Sequence, residues 1–259
     1  MIEEPYRWVE AIANRREYIE GQLAPGSPIA ALGYRDGILF VTLGQTRQKL
    51  FEIYDRIAMG GIGHPGDIER LRMAAIELAS TEGFTRSTAD VSLRRLAHYS
   101  LSPVLKSAFE QIYGPPYLAR MLFAEVGARP EDDLFLRVEY DGEIASNGAT
   151  YARARQDFAV LSGTRQSLEM MEAFLRDEHK ADASLETAVN SALDAWSVGH
   201  MVLQAGEAKE APARDAIAQH RQEQLTIAAI EAAVLERDGS RPLRYRSLTD
   251  KELRSVISR

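Results

Sequence analysis

The chain reads as an α+β protein of four layers: two mostly antiparallel sheets stacked face to face, helices over both outer faces, and one extra helix at the N terminus. Three observations predict this αββα sandwich. Apolar runs of strand length come in blocks joined by Asp-Gly and Tyr-Asp turns. Helical patterns come in pairs between those blocks, which is not the alternation of a parallel βαβ sheet. Hydrophobic residues at 45% and charged residues at 27% are ordinary for a globular fold, and 259 residues suffice to bury about three quarters of the unfolded surface around one core. One domain over residues 1–259 is expected, with residues 1–25 as an N-terminal segment and helix. No repeat with a period of roughly 20 to 50 residues is visible.

From Pro5 to Leu23, the residues Trp8, Ile12, Ile19 and Leu23 recur at helical spacing with charged residues between them. Ala24-Pro25-Gly26 stops that helix. Ile29 to Tyr34 and Ile38 to Thr42 flank Arg35-Asp36-Gly37 as a hairpin. Lys49 to Ile53 and Arg56 to Ile62, split by Tyr54-Asp55, make a second. A helix follows His64-Pro65-Gly66-Asp67, with Ile68, Leu71, Ala75 and Leu78 on its buried stripe and Gly83 closing it as a left-handed cap. A second long helix, about Ala89 to Tyr113, buries Leu93, Leu96, Leu101, Leu105, Ala108 and Ile112 and is kinked by Pro103. Strands are expected at Leu118 to Val126, Leu134 to Tyr140, Glu143 to Ala145 and Asp157 to Ser162. Helices follow at Arg165 to Asp177 and at Ser184 to about Ala205. The charged, alanine-rich stretch 206–221 is weakly periodic and reads as a flexible loop or a marginal helix. Leu225 to Glu236 and Arg244 to Leu248 pair as strands, and Thr249 with Glu252 opens a final helix as a capping box.

A formal net charge of −7 argues against a broad nucleic-acid face. With no cysteine, neither a disulfide framework nor a thiolate metal site can form. No apolar run reaches the roughly 18 to 20 residues that span a bilayer, and the charged N terminus is unlike a signal peptide. A cytoplasmic protein that binds neither nucleic acid nor membrane is expected.

Standard catalytic signatures are missing. The histidines His64, His98, His179, His200 and His220 show no metal-binding spacing, and Gly-x-Ser-x-Gly is absent. Gly60-Gly61-Ile62-Gly63 lies between a strand and a helix, where a phosphate loop would sit, but it lacks the Lys-Ser/Thr of a Walker motif. Close strand-to-helix packing explains those glycines better than phosphate binding.

The run Ser27-Pro-Ile-Ala-Ala-Leu-Gly-Tyr-Arg-Asp-Gly-Ile-Leu-Phe-Val41, followed by Gln48-Lys-Leu-Phe-Glu-Ile-Tyr-Asp-Arg-Ile-Ala-Met-Gly-Gly-Ile-Gly63 and a helix from Asp67, resembles the 20S proteasome family. Tyr140-Asp-Gly, Leu161-Ser-Gly and Ser184-Leu-Glu-Thr-Ala fall where that family has its own blocks. The resemblance covers nearly the whole chain and rests on order and spacing rather than on any single motif. It implies the Ntn-hydrolase fold, the same four layers.

That family places catalytic β subunits and non-catalytic α subunits on one fold. In a β subunit a Thr freed from its propeptide is activated by its own amine, with a lysine and an aspartate as helpers. Here Ser27 falls at the Thr position and is followed by Pro28, Lys49 falls at the lysine position, and Leu43 stands where the aspartate belongs. A serine without the orienting carboxylate is a poor nucleophile. Pro5 to Leu23 resembles the unprocessed N-terminal helix of α subunits, most closely the actinobacterial kind. The resemblance therefore implies a bacterial α subunit with no catalytic residue of its own, whose seven-membered ring gates substrate access, templates assembly and docks activators for protein degradation. Its partners would be β subunits, other copies of itself, the C-terminal tails of a ring ATPase or other activator, and unfolded protein substrates. Lys49 would pair with the terminal carboxylate of such a tail. Tyr6, Arg7 and Trp8 would belong to the pore gate, although Arg7 replaces the Asp of archaeal and eukaryotic chains, so their gate contacts do not carry over. Neither cofactor nor metal is expected. The alternatives are a self-processing hydrolase with Ser27 as nucleophile and Lys49 as its helper, and a nucleotide-binding protein using residues 60–63.

Overall fold

Asp36-Gly37 closes a hairpin between β1 (Ile29–Tyr34) and β2 (Gly37–Gly44), in register from Ile29 opposite Thr42 to Tyr34 opposite Gly37. Because side chains alternate along a strand, Ile29, Ala31, Ile38 and Phe40 face one way while Ala30, Leu32, Leu39 and Val41 face the other, and all are buried. Both faces of the sheet are therefore covered, which explains runs that are apolar throughout rather than alternating. The structure, a computed structural model, describes residues 5–44, 47–147, 155–206, 210–239 and 243–257, without the side chains of Pro5 and Tyr6.

The remaining strands are β3 (Leu50–Tyr54), β4 (Ile57–Gly63), β5 (Ala119–Glu125), β6 (Leu134–Val138), β7 (Ile144–Ser146), β8 (Phe158–Leu161), β9 (Ala229–Glu236) and β10 (Tyr245–Ser247). They form two five-stranded antiparallel sheets, one ordered β10-β9-β2-β1-β8 and the other β3-β4-β5-β6-β7. Ile29, Phe40 and Leu235 of the first meet Ile62, Leu122 and Phe135 of the second in the central core. Over the outer face of the first lie α5 (Arg165–Glu178), α6 (Leu185–Ala205) and α8 (Asp250–Val256). Over the second lie α2 (Pro65–Thr85), α3 (Leu93–Arg95) and α4 (Ser102–Glu110). This is the four-layer αββα sandwich, and α1 (Pro5–Leu23) is the additional N-terminal helix. Thr249 and Glu252 make both halves of the capping box that opens α8.

Four expectations need correction. Gly83 does not end α2, which runs on to Thr85; a Cβ there would come within 2.1 Å of the Tyr54 hydroxyl, so the glycine is a dimple for a strand side chain. Leu78, read as part of the buried stripe, is 42% exposed, and Ala79 is buried in its place. The long helix from Ala89 is broken into a 3₁₀ turn, α3, a π-helical turn at Leu96–Leu101 and α4, which stops at Glu110, so Phe109 rather than Ile112 is buried. Pro103 brings no N–H to the ladder, and the turn before it widens, with Ser102 N–H reaching back to Ala97 O. Finally, of the stretch 206–221, expected as a flexible loop or a marginal helix, residues 207–209 lie outside the described residues and 214–221 are helical; α7 (Arg214–Ile227) also takes in Leu225, where a strand is expected to begin, and packs on α6 through Ile217 and His220.

The N-terminal helix is bolted on by charge as much as by apolar contact. Ile19 and Leu23 pack with Phe109 and Tyr140. Glu20 accepts from the Tyr140 hydroxyl at 2.7 Å and from Arg120, a nearly buried guanidinium that also pairs with Glu139 and donates to Gly163 O at 2.7 Å. Arg15 donates to Ala108 O and Gly114 O, both at 2.9 Å, satisfying carbonyls released where α4 ends. Trp8 is the exception to the amphipathic reading: it is 45% exposed and forms no part of this contact. Breaking a largely buried ion network by removing one partner costs about 3 kcal/mol. Arg120→Ala should therefore lower stability by about that amount and speed amide exchange in α1 more than in the sheets; unchanged exchange in α1 would show that the helix is held by its apolar contacts alone.

Candidate functional site

The approach to β1, the end of β2, the start of β3, the end of β4 and the start of β9 meet around a cavity of about 730 Å³. Ser27, Leu43, Lys49, Gly63, Trp196 and His200 are among the residues that line it. The structure thus brings together Ser27 and Lys49, which sequence separates by a hairpin arm and a turn.

Ser27 is committed to structure. Its hydroxyl donates to Leu43 O at 2.8 Å and accepts from the Trp196 indole at 3.3 Å. Neither partner can take its proton, and in the intact chain its own nitrogen is an amide without basic character. Leu43, at the aspartate position, is buried on the face of β2 that α6 covers and offers the Ser27 hydroxyl its backbone carbonyl. Thr42 donates to Pro28 O at 2.7 Å, fixing the Pro28 backbone to β2.

Lys49 sits just before β3. Its Nζ lies 3.5 Å from Ser27 O, a long contact to a carbonyl rather than to the hydroxyl. Burial pushes the ammonium below the usual lysine range, opposed by the charge of Glu231. No described carboxylate forms an ion pair with Nζ. Glu231 instead gives both carboxylate oxygens to backbone groups: Lys49 N–H at 2.9 and 3.0 Å and Leu50 N–H at 2.8 Å. Burial raises the Glu231 carboxyl, with those two amides and Lys49 pulling it back down. The cavity therefore holds a half-desolvated cation whose nearest acid is already occupied.

Two histidines extend the wall. The His200 ring stacks on Trp196 at 4.6 Å between centroids, and its Nδ1 lies 2.9 Å from His220 Nε2 on α7. Neither residue stands out in sequence, because they lie twenty positions apart on successive helices and His220 falls in the stretch expected as a flexible loop or a marginal helix. Burial first, then the facing His220 and Lys49, push His200 down to about 4; His220 is lowered by burial, with Glu223 opposing.

The glycine turn is spent on packing. A Cβ at Gly61 would meet Ile68 of α2 at 3.0 Å, and one at Gly60 would meet Ile29 at 3.1 Å. Gly63, at φ +122, turns the chain where any Cβ would strike Leu118 O. Gly61 N–H is bonded to Lys49 O and His64 N–H to Leu118 O. Asp67 occupies the first turn of α2, where its charge opposes a phosphate. Of the residues expected at the gate, Arg7 and Trp8 are exposed on the first turn of α1; Tyr6 is in the same helix with its side chain outside the described residues, as are residues 1–4.

Comparison with known proteins decides the family. A proteasome subunit alpha from Parafrankia sp. is 32% identical over 250 residues, covering 96% of this chain and 92% of the relative. The chain belongs to the proteasome α-subunit family. Further α-subunit relatives are those of Nocardioides sp., 30% identical with 96% and 86% covered, and Streptomyces griseus subsp. griseus, 28% identical with 96% and 82% covered. No family model matches the chain. The resemblance carried by residues 27–63 thus extends over nearly the whole α-subunit length, α1 included.

The histidine pair has a consequence for stability. An imidazole held below its ordinary value near 6.5 binds fewer protons folded than unfolded, so the stability it confers is complete above that value and is lost as pH falls toward about 4. His200→Gln removes that dependence. Between pH 6.5 and 4 the wild-type melting temperature should fall more steeply than that of the variant, and parallel slopes would show that the pair carries no such linkage.

Proposed function

We propose that the chain is a non-catalytic α subunit of a bacterial 20S proteasome core particle. Copies of it form the outer ring over the β subunits, restrict access to unfolded chains, template assembly, and dock a ring ATPase or other activator through C-terminal tails. The particle is cytoplasmic. No described helix is long and apolar enough to cross a membrane.

One observation carries the docking role. Lys49 presents a partly desolvated ammonium to a cavity with an apolar wall and has no ion-pair partner among the described residues. A peptide carboxylate supplies the missing charge in a cavity that Trp196 and Leu23 also line. The same position in a hydrolase would serve Ser27, but here the ammonium reaches the serine carbonyl and the hydroxyl proton goes to Leu43 O. That bonding favours the scaffold over a self-processing enzyme. The exposed Arg7 and Trp8 on the first turn of α1 are assigned to the gate region by family resemblance.

Two experiments test this. Lys49→Ala should leave ring assembly intact and weaken an activator tail roughly a hundredfold, the cost of removing one partner of a desolvated charge pair, thereby abolishing stimulated peptide hydrolysis. Full stimulation in the variant would remove the docking role. Intact mass of the assembled particle should show α chains that retain the residues upstream of Ser27, and Ser27→Ala should leave hydrolysis by the particle unchanged; cleavage after Gly26 together with lost activity would establish the hydrolase instead.

A further inference from the structure

Glu231 occupies an unusual place. It belongs to β9, where it stands opposite Thr42 of β2 in the first sheet, yet its side chain crosses to the second sheet and takes the N–H groups of Lys49 and Leu50. Those two donors lie at the beginning of β3, an edge strand. Leu50 pairs with Gly60 on the β4 side, and Lys49 gives its carbonyl to Gly61 N–H on that same side. On the free side a buried N–H needs an acceptor from elsewhere, and the Glu231 carboxylate supplies it.

We infer that Glu231 is a positioning residue for tail docking: it fixes the backbone from which Lys49 springs while making no direct ion pair with its ammonium. The inference rests on the docking reading of Lys49 above. A carboxylate this close to a lysine would ordinarily neutralise it and block an incoming anion. Here both oxygens are consumed by amides, and no ion pair with Nζ forms. The acid thus orders the site without occupying it.

Positioning and simple charge predict opposite signs. Were Glu231 only a nearby negative charge, Glu231→Gln would relieve repulsion and tighten binding of a carboxylate. As a clamp it holds the Lys49 N–H with both oxygens and the Leu50 N–H with one of them; a glutamine keeps the shared oxygen but sets its NH2 against the Lys49 N–H, loosening the backbone. Glu231→Asp keeps the charge but falls one methylene short, so charge alone predicts no change and positioning predicts weakening.

The test uses the assembled α/β particle and a fluorescein-labelled Gly-Gly-Ala-Leu-Leu peptide, with a free C-terminal carboxylate or as its carboxamide, read by anisotropy. Wild type should prefer the carboxylate, and Lys49→Ala should abolish the preference. Glu231→Gln and Glu231→Asp should each weaken the carboxylate peptide roughly tenfold, the scale of losing a charge-assisted hydrogen bond, with the carboxamide unaffected. In the Lys49→Ala background Glu231→Gln should add nothing. Absence of the carboxylate preference in wild type overturns the docking reading and this inference with it. Preference present but Glu231→Gln equal to or tighter than wild type overturns the inference alone. A variant that lost both peptides equally would reveal a general structural role and also overturn it; should Glu231→Gln fail to assemble, the aspartate variant decides by the same comparison.

Discussion

Burial of both sheets on both faces is the constraint on which the rest depends. A strand flanked by helices on one side and by another sheet on the other has no solvated face, so polar chemistry is confined to strand ends and edges. The proposed docking site follows that rule. Ser27 precedes β1, Gly44 ends β2, Lys49 precedes β3, Gly63 ends β4 and Ala228 precedes β9, and all of them border one cavity. The backbone groups left over at this end are answered one by one: Leu43 O by Ser27, Pro28 O by Thr42, and the amides of Lys49 and Leu50 by Glu231. The ammonium of Lys49 has only a long contact to a carbonyl.

Under the proposed reading the serine position serves structure rather than catalysis. Nucleophilic catalysis asks for a hydroxyl beside a base and for a third group that orients the base. In this chain the hydroxyl bridges a carbonyl and an indole, and the orienting position holds a leucine on the face of β2 that α6 covers. Trp196 joins this hydroxyl to the imidazole pair, so the wall of the cavity is a continuous structure from β2 through α6 to α7. Lys49 borders the same cavity, with its ammonium nearest to the Ser27 carbonyl rather than to the hydroxyl.

Legibility in the sequence followed the range of the interaction. The Asp36-Gly37 hairpin, the stop at Pro25-Gly26 and the Thr249 capping box depend on a few neighbouring residues, and each stands where local chemistry puts it. Gly83 misled because a glycine near a helix end has two explanations, and choosing between them requires knowing that Tyr54 lies opposite. The π turn before Pro103 likewise depends on how the segment settles over the second sheet. In α7 charge and alanine obscure the apolar period, since Ile217 and His220 are its buried residues. Ser27, Leu43 and Lys49 were found through family resemblance. Glu231 could not be, because 182 positions separate it from Lys49 and only the packing of one sheet on the other brings them together.

Along α1, Trp8, Val9 and Tyr18 are 45%, 66% and 55% exposed; by helical spacing Trp8 shares the stripe of Ile12, Ile19 and Leu23, while Val9 and Tyr18 flank that stripe on either side. Large side chains bare on a rigid helix are costly to leave in water and adhesive toward whatever covers them. In the proposed ring such side chains would be covered on assembly, and a solitary copy would be the adhesive one: by mass action, the concentration of its partners would then set how long those side chains stay wet.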